Sequence, residues 1–173
     1  MELYNIEKEP LLQIAERMKD FSHVDFPKKR LEVATLCLNV YEVMEKVFRK
    51  QGIKVELDIM DGFGCFIFEN EVLLNISLKT LVYGFLEHLN EQEKMTLGVS
   101  KHKGAVDILF CASLSENGRS ICWNQHLGTD TLTDRAVESV KGYLELEGVH
   151  CLAFCEGQTA SVGIRLEESR MEG

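Results

Sequence analysis

The order of hydrophobic periods predicts an α+β fold, a two-layer sandwich with helices on one face of a mixed, mostly antiparallel sheet. Three observations predict it. Apolar residues recur at helical spacing in three long stretches, and in most segments between them they alternate with period two. Strands and helices do not follow one another as β-α-β units, which excludes a doubly wound parallel sheet. The chain has 173 residues, 45% of them hydrophobic, and a domain of that size buries about 70% of the surface its unfolded chain exposes.

Each element has its own signal. Pro10 opens a short helical pattern in which Leu11, Ile14, Ala15 and Met18 fall at i, i+3, i+4 and i+7. Pro27 begins a longer one, a helix over 28–51. Its stripe is Val33, Leu36, Cys37, Val40, Val43, Met44, Val47 and Phe48, and Gly52 stands where a C-terminal cap belongs. From Ile53 the period becomes two, with Val55, Leu57 and Ile59 alternating against Lys54, Glu56 and Asp58. Cys65-Phe66-Ile67-Phe68 and Val72-Leu73-Leu74 flank Glu69-Asn70-Glu71, the pattern of a short hairpin. A helix over 77–90 carries Leu78, Leu81, Val82, Phe85, Leu86 and Leu89. Strands follow at 95–100 and 105–112, joined by Lys101-His102-Lys103-Gly104, and then a polar stretch at 113–133. A helix over 134–147 presents Val137, Val140 and Leu144 before Gly148, and strands at 149–155 and 160–166 close the domain. The expected core is Leu36, Val40, Phe48, Leu81, Phe85, Val140 and Leu144. By domain, 1–25 is an N-terminal helical segment, 26–167 the folded unit and 168–173 a charged tail.

Composition excludes several classes of function. Nineteen Lys and Arg against 28 Asp and Glu give a net charge of -9. A nucleic-acid groove or an anionic membrane surface needs the opposite sign, so neither is an expected partner. No apolar run reaches the roughly 18 residues of a membrane span. The first ten residues are polar and acidic, unlike a secretory leader, so a cytoplasmic location is expected. Cysteines at 37, 65, 111, 122, 151 and 155 form no C-x-x-C pair. His150 beside Cys151 invites a metal reading, but small apolar packing is the commoner use of a free cysteine. No metal is expected.

The element order and its landmarks resemble the ATP-binding catalytic domain of bacterial sensor histidine kinases, the GHKL or Bergerat fold. Met18-Lys19-Asp20-Phe21-Ser22-His23 looks like the end of a kinase's second dimerisation helix. Lys50-Gln51-Gly52-Ile53-Lys54-Val55-Glu56-Leu57 is similar to the family's passage into its first strand. The stretch from Ser77 to Leu86 resembles the helix that carries the N-box asparagine. Leu144-Glu145-Leu146-Glu147-Gly148 and Glu156-Gly157-Gln158-Thr159 resemble the family's last helix and closing turn.

The resemblance implies a nucleotide site, and the residues at its positions depart from the family's pattern. An asparagine that helps hold Mg²⁺ is replaced by His88, with Gly84 at the preceding asparagine position. The aspartate that accepts from the adenine amino group falls at Ala112, and only Glu116-Asn117-Gly118, some four residues along the loop, offers a substitute. The glycine motif that cradles phosphate on a helix N-terminus falls at Asp134-Arg135-Ala136, where a carboxylate repels phosphate. Gly157 marks the closing turn. No histidine is an obvious phosphoacceptor. His23 sits at a helix end near Pro27, His102 in a hairpin turn, His126 in the long loop and His150 at a strand start.

Three functions remain open at this level. One is a non-catalytic protein-interaction module of a two-component pathway, binding a response regulator or a kinase without any cofactor. Another is a divergent kinase domain that binds ATP and Mg²⁺ through Glu116 and Gly157. The third is a histidine phosphotransferase. The missing nucleotide residues favour the first. The stripe at 8–22 is too short to stand alone in water, and the resemblance implies that it pairs across a two-fold axis as a homodimer; the alternative is that it folds back on its own domain.

Overall fold

The computed structural model describes residues 13–14, 16–17, 27–86, 89, 94–113, 132–156 and 159–168, with only the backbone at 132–134 and 155–156. In chain order the elements are β1 (Lys29–Glu32), α1 (Val33–Gln51), β2 (Lys54–Asp58), β3 (Phe66–Glu69), α2 (Glu71–Leu86), β4 (Lys94–His102), β5 (Ala105–Ser113), α3 (Leu132–Leu144), β6 (His150–Glu156) and β7 (Thr159–Glu167). One-turn 3₁₀ helices at Met60–Gly62 and Glu145–Glu147 follow β2 and α3. Five strands form one sheet in the order β2-β4-β5-β7-β6, and β1 pairs with β3 in a separate ribbon. Among the described strands only β2 against β4 is parallel, with Val55 opposite Met95; the other pairings are antiparallel.

The core lies where the two periodicities meet. Met95, Leu97 and Val99 of β4, Val106, Ile108 and Phe110 of β5, and Val162, Ile164 and Leu166 of β7 are buried at alternate positions, on the sheet face that the helices cover. The seven expected core residues are all buried, none more than 3% exposed. Val43 of the α1 stripe is exposed on its flank. So is Leu57, on the edge strand β2.

Three expected elements need correction, each for a physical reason. The helix expected from residue 28 starts at Val33, because Lys29–Glu32 is extended and pairs with β3. Leu31 and Ile67, opposite one another, are both buried by that pairing. Val72-Leu73-Leu74 is no strand but the first turn of α2, which starts at Glu71 and not at 77. Asn70 determines this: its Oδ1 accepts the Leu73 N–H at 2.9 Å, an N-terminal cap, while its Nδ2 donates to the Pro27 carbonyl at 2.7 Å. Glu69-Asn70-Glu71 therefore joins a strand to a helix, not two strands. Finally, α3 begins at Leu132, two residues before the expected start at Asp134, which lies within the first turn.

The helix ends behave as expected. Gly52 and Gly148 adopt left-handed φ of 69° and 77°. Ile53 N–H returns to the Phe48 carbonyl at 3.0 Å, completing the Schellman pattern at the end of α1.

Candidate functional site

Ala112, at the position of the expected adenine acceptor, sits near the end of β5 on the core face. It is 4% exposed, with Met95 and Ala160 across from it on β4 and β7. Gly84 is buried inside the last turn of α2. The backbone of Asp134 belongs to the first turn of α3, where a carboxylate favours the helix dipole but opposes an incoming phosphate. His88, Glu116 and Gly157 lie outside the described residues, as do His23 and His126. The end of β5, the last turn of α2 and the start of α3 are thus the described parts of the expected site.

Towards the other end of α3, α2 and α3 are joined directly. Ser77 Oγ and Tyr143 Oη are 2.8 Å apart, and Ser77 Oγ also donates to the Leu73 carbonyl at 2.7 Å. Both residues are buried, and burial pushes the Tyr143 phenol up, with the Ser77 hydrogen bond opposing. The thiols are similarly unreactive: burial pushes Cys37 and Cys151 up to about 12, so both are neutral thiols at pH 7. Cys151 lies among Lys141, Glu145 and Glu138 of the α3 region, in keeping with packing between sheet and helix. Among the described residues no group of three His, Cys, Asp or Glu is placed to hold a metal ion.

Sequence reasoning missed two polar clusters. On the sheet face away from the helices, Asp107 of β5 is 4% exposed and receives Arg165 Nε at 2.7 Å and Nη2 at 2.9 Å. His102 Nε2 lies 3.0 Å from the same carboxylate. Burial pushes the Asp107 carboxyl up, but the hydrogen bonds and charges of Arg165 and His102 outweigh it and hold the group below the usual carboxylate range. The second cluster centres on Lys28, 3.7 Å from both Glu69 and Glu147. Burial, then the charge of Glu147, raise the Glu69 carboxyl despite Lys28. Neither cluster is complete within a local stretch: Arg165 reaches Asp107 through the β5–β7 register, and Lys28, Glu69 and Glu147 come from three distant parts of the chain.

Two further features bear on partners. A cleft of about 310 Å³ runs along β1 and the start of α1, lined by Lys29, Arg30, Glu32, Thr35, Asn39 and Glu71 among others. Lys29 and Glu71 neutralise each other across 2.5 Å. Gln13, Ile14, Glu16 and Arg17 are helical, and Glu16 pairs with Arg135 of α3 at 2.5 Å while Ile14 stays 47% exposed.

No protein-family model and no curated protein matches the sequence. Solved structures do. Histidine kinase AdeS of Acinetobacter baumannii superposes with a TM-score of 0.66 at 10% identity, covering 95% of this chain and 77% of that one. The catalytic domain of histidine kinase ThkA gives a TM-score of 0.67 at 14% identity, covering 83% of this chain and 99% of that domain. Full-length ShkA in complex with AMPPNP gives 0.65 at 15% identity, with 87% and 33% covered. At such low identity the likeness concerns architecture, and it agrees with the five-stranded mixed sheet and its helical layer. The fold of this chain is that of histidine kinase catalytic domains.

Proposed function

We propose that this chain is a signal-transduction module of a two-component pathway, a degenerate GHKL domain that works by binding a protein without using ATP. The observation that carries the reading is Ala112. A buried methyl group occupies the β5 position where the resemblance calls for a carboxylate to accept from adenine. A buried amino group left without an acceptor costs about 1–3 kcal/mol. Asp134 in the first turn of α3, and Gly84 and His88 in place of Mg²⁺-holding asparagines, add to that loss. A total of about 4 kcal/mol weakens binding about a thousandfold. No catalytic residue is assigned. His88, Ala112, Glu116, Asp134 and Gly157 mark the vestige of the site.

Support for a protein partner comes from the fold's relatives. ThkA, whose catalytic domain this chain resembles, has been solved in complex with the response regulator TrrA. By analogy the partner here is a response regulator or a kinase, met in the cytoplasm. The half-exposed Ile14 supports a homodimer through 8–22. No helix among the described residues is long and apolar enough to cross a membrane.

Thermal-shift and calorimetric titrations with Mg-ATP and Mg-ADP test the reading. A ligand at 100 times its dissociation constant stabilises a fold by about 2.7 kcal/mol, and no such shift is expected at millimolar nucleotide. A dissociation constant below about 100 μM would overturn the degenerate-site reading. Titration with isolated receiver domains tests the partner, and a micromolar complex is expected with at least one.

A further inference from the structure

The five-stranded sheet ends on one side at β2, whose only strand neighbour among the described residues is β4. An edge of this kind carries a row of backbone N–H and C=O groups directed away from the sheet, ready to pair with another strand. Among the described residues no hydrogen bond is made to that row. Charged side chains are the usual guard on such an edge, and β2 has three, Lys54, Glu56 and Asp58, all exposed. They are not equally matched. Glu56 has a counter-charge in Lys94, 3.6 Å away on β4, while Lys54 and Asp58 have no ion-pair partner among the described residues. The order of the five residues supplies one. Turned antiparallel against itself about Glu56, the strand places Lys54 of each copy opposite Asp58 of the other, and Val55 opposite Leu57. Opposite charges and apolar pairs set directly across a ladder each strengthen it. The faces match as well. Val55 and Leu57 lie beside buried Met95 and Leu97, on the helical side of the sheet, and the three charges lie on the other. Two Glu56 side chains meet on the axis, each with Lys94 at its side. Beyond the strand, the exposed Met60 and Phe63 extend the apolar surface at both ends of the contact.

We propose that the outer edge of β2 is a self-association surface, at which two copies of this chain join antiparallel across a two-fold axis through Glu56 and merge their sheets into one. The helices of both copies then lie on the same side of the joined sheet. A five-residue ladder is small beside the roughly 1,200–2,000 Å² buried in a stable interface. The contact is therefore weak, with a dissociation constant above about 100 μM. It closes where copies are already held near one another, at effective concentrations of about 1 mM. The surface is separate from residues 8–22 and rests on neither the nucleotide reading nor the partner reading. With both surfaces in use, one chain carries two two-fold contacts, and copies can link into a closed tetramer or an open row.

Sedimentation of the intact chain at about 10 μM and about 1 mM tests the pairing. The weight-average mass is expected to rise by about half or more between the two. Lys54→Asp sets carboxylates against one another at both ends of the ladder, and should weaken the association about tenfold or more and remove most of the rise. Lys54→Asp combined with Asp58→Lys reverses both charges and should restore it. Both positions are exposed, and circular dichroism checks that the variants keep the native fold. Glu56→Cys, on the axis, should form a disulfide between two copies under mild oxidation, located at residue 56 by fragment mapping. No rise in the wild type overturns the proposal and leaves the edge to a strand of another protein. A rise that Lys54→Asp does not touch, or that the reversed pair does not restore, overturns it too, as do cross-linked fragments that omit residue 56.

Discussion

Asp107 and Glu69 are acidic residues near opposite ends of their strands, and burial acts on them with opposite net results. Asp107 is held below its unfolded value, because its hydrogen bonds and charge interactions with Arg165 and His102 outweigh desolvation. Its contribution to stability is therefore fully present above the ordinary carboxylate range and lost as pH falls through the lowered value. Asp107→Ala should cost about 1–2 kcal/mol in urea unfolding at pH 7, since Arg165 and His102 can rehydrate once released. That difference should close as the pH is lowered. Glu69 is the reverse. Burial and Glu147 raise it, and its Oε2 has no hydrogen-bond partner among the described residues. The folded state then binds the proton more tightly than the unfolded one, so the ionised group costs stability at neutral pH, and the cost disappears as pH falls toward the unfolded value. Glu69→Gln should match or exceed the wild type by up to about 1 kcal/mol at pH 7 and lose that advantage in acid. Removing Lys28 should do the opposite, because it leaves Glu69 and Glu147 facing each other without a counter-charge.

Between elements, two glycines stand where the backbone of a neighbouring element leaves no room for a side chain. A Cβ on Gly62 would stand 2.8 Å from the Ala34 backbone nitrogen, at the start of α1. One on Gly163 would stand 1.9 Å from the Ile108 carbonyl oxygen, between β5 and β7. Both neighbours are backbone and cannot swing aside. Gly62→Ala should cost about 1–3 kcal/mol, and Gly163→Ala more, because it pries apart two central strands; denaturant midpoints would rank them. These contacts also show what the sequence could and could not convey. Period-two alternation in β4, β5 and β7, and the stripes of α1 and α3, identified the layers, because local side-chain spacing decides which face is apolar. The two-stranded ribbon was illegible, since Lys-Arg-Leu-Glu has no strand preference of its own and becomes extended only by pairing with residues some 35 positions away. Asn70 was legible in principle as a cap, but its two acidic neighbours also read as a turn.

For the molecule as a whole, the resemblance in the sequence reached the fold and most of its boundaries. It reached the site only as a set of substitutions. Ala112 stands where the family resemblance implies a carboxylate, and the proposal that the site is degenerate rests on that implication. The Asp107 cluster could not be read from the sequence, because Arg165 lies 58 residues further along the chain. The N-terminal segment is the part whose partner matters most to assembly. If 8–22 pairs between copies, light scattering of the intact chain should report a dimer and deletion of 1–22 a folded monomer. If the Glu16–Arg135 contact is instead the dominant one, the intact chain is monomeric and the deletion changes only its stability.

The β4–β5 hairpin sets the order in which this sheet can assemble. Its two nine-residue strands are joined by Lys103-Gly104 alone, with Gly104 at a φ of 73°. The parallel β2–β4 pairing must close over β3 and α2, and the β5–β7 pairing over residues 114–131, α3 and β6. Loop-closure entropy makes the short connection form first and the long ones later. Gly104→Ala, which forces a side chain into a left-handed turn at about 1 kcal/mol, should therefore slow refolding in stopped-flow experiments and leave the unfolding rate nearly unchanged. A substitution that instead speeds unfolding would place the hairpin late, and would mean that the helical layer gathers before the sheet does.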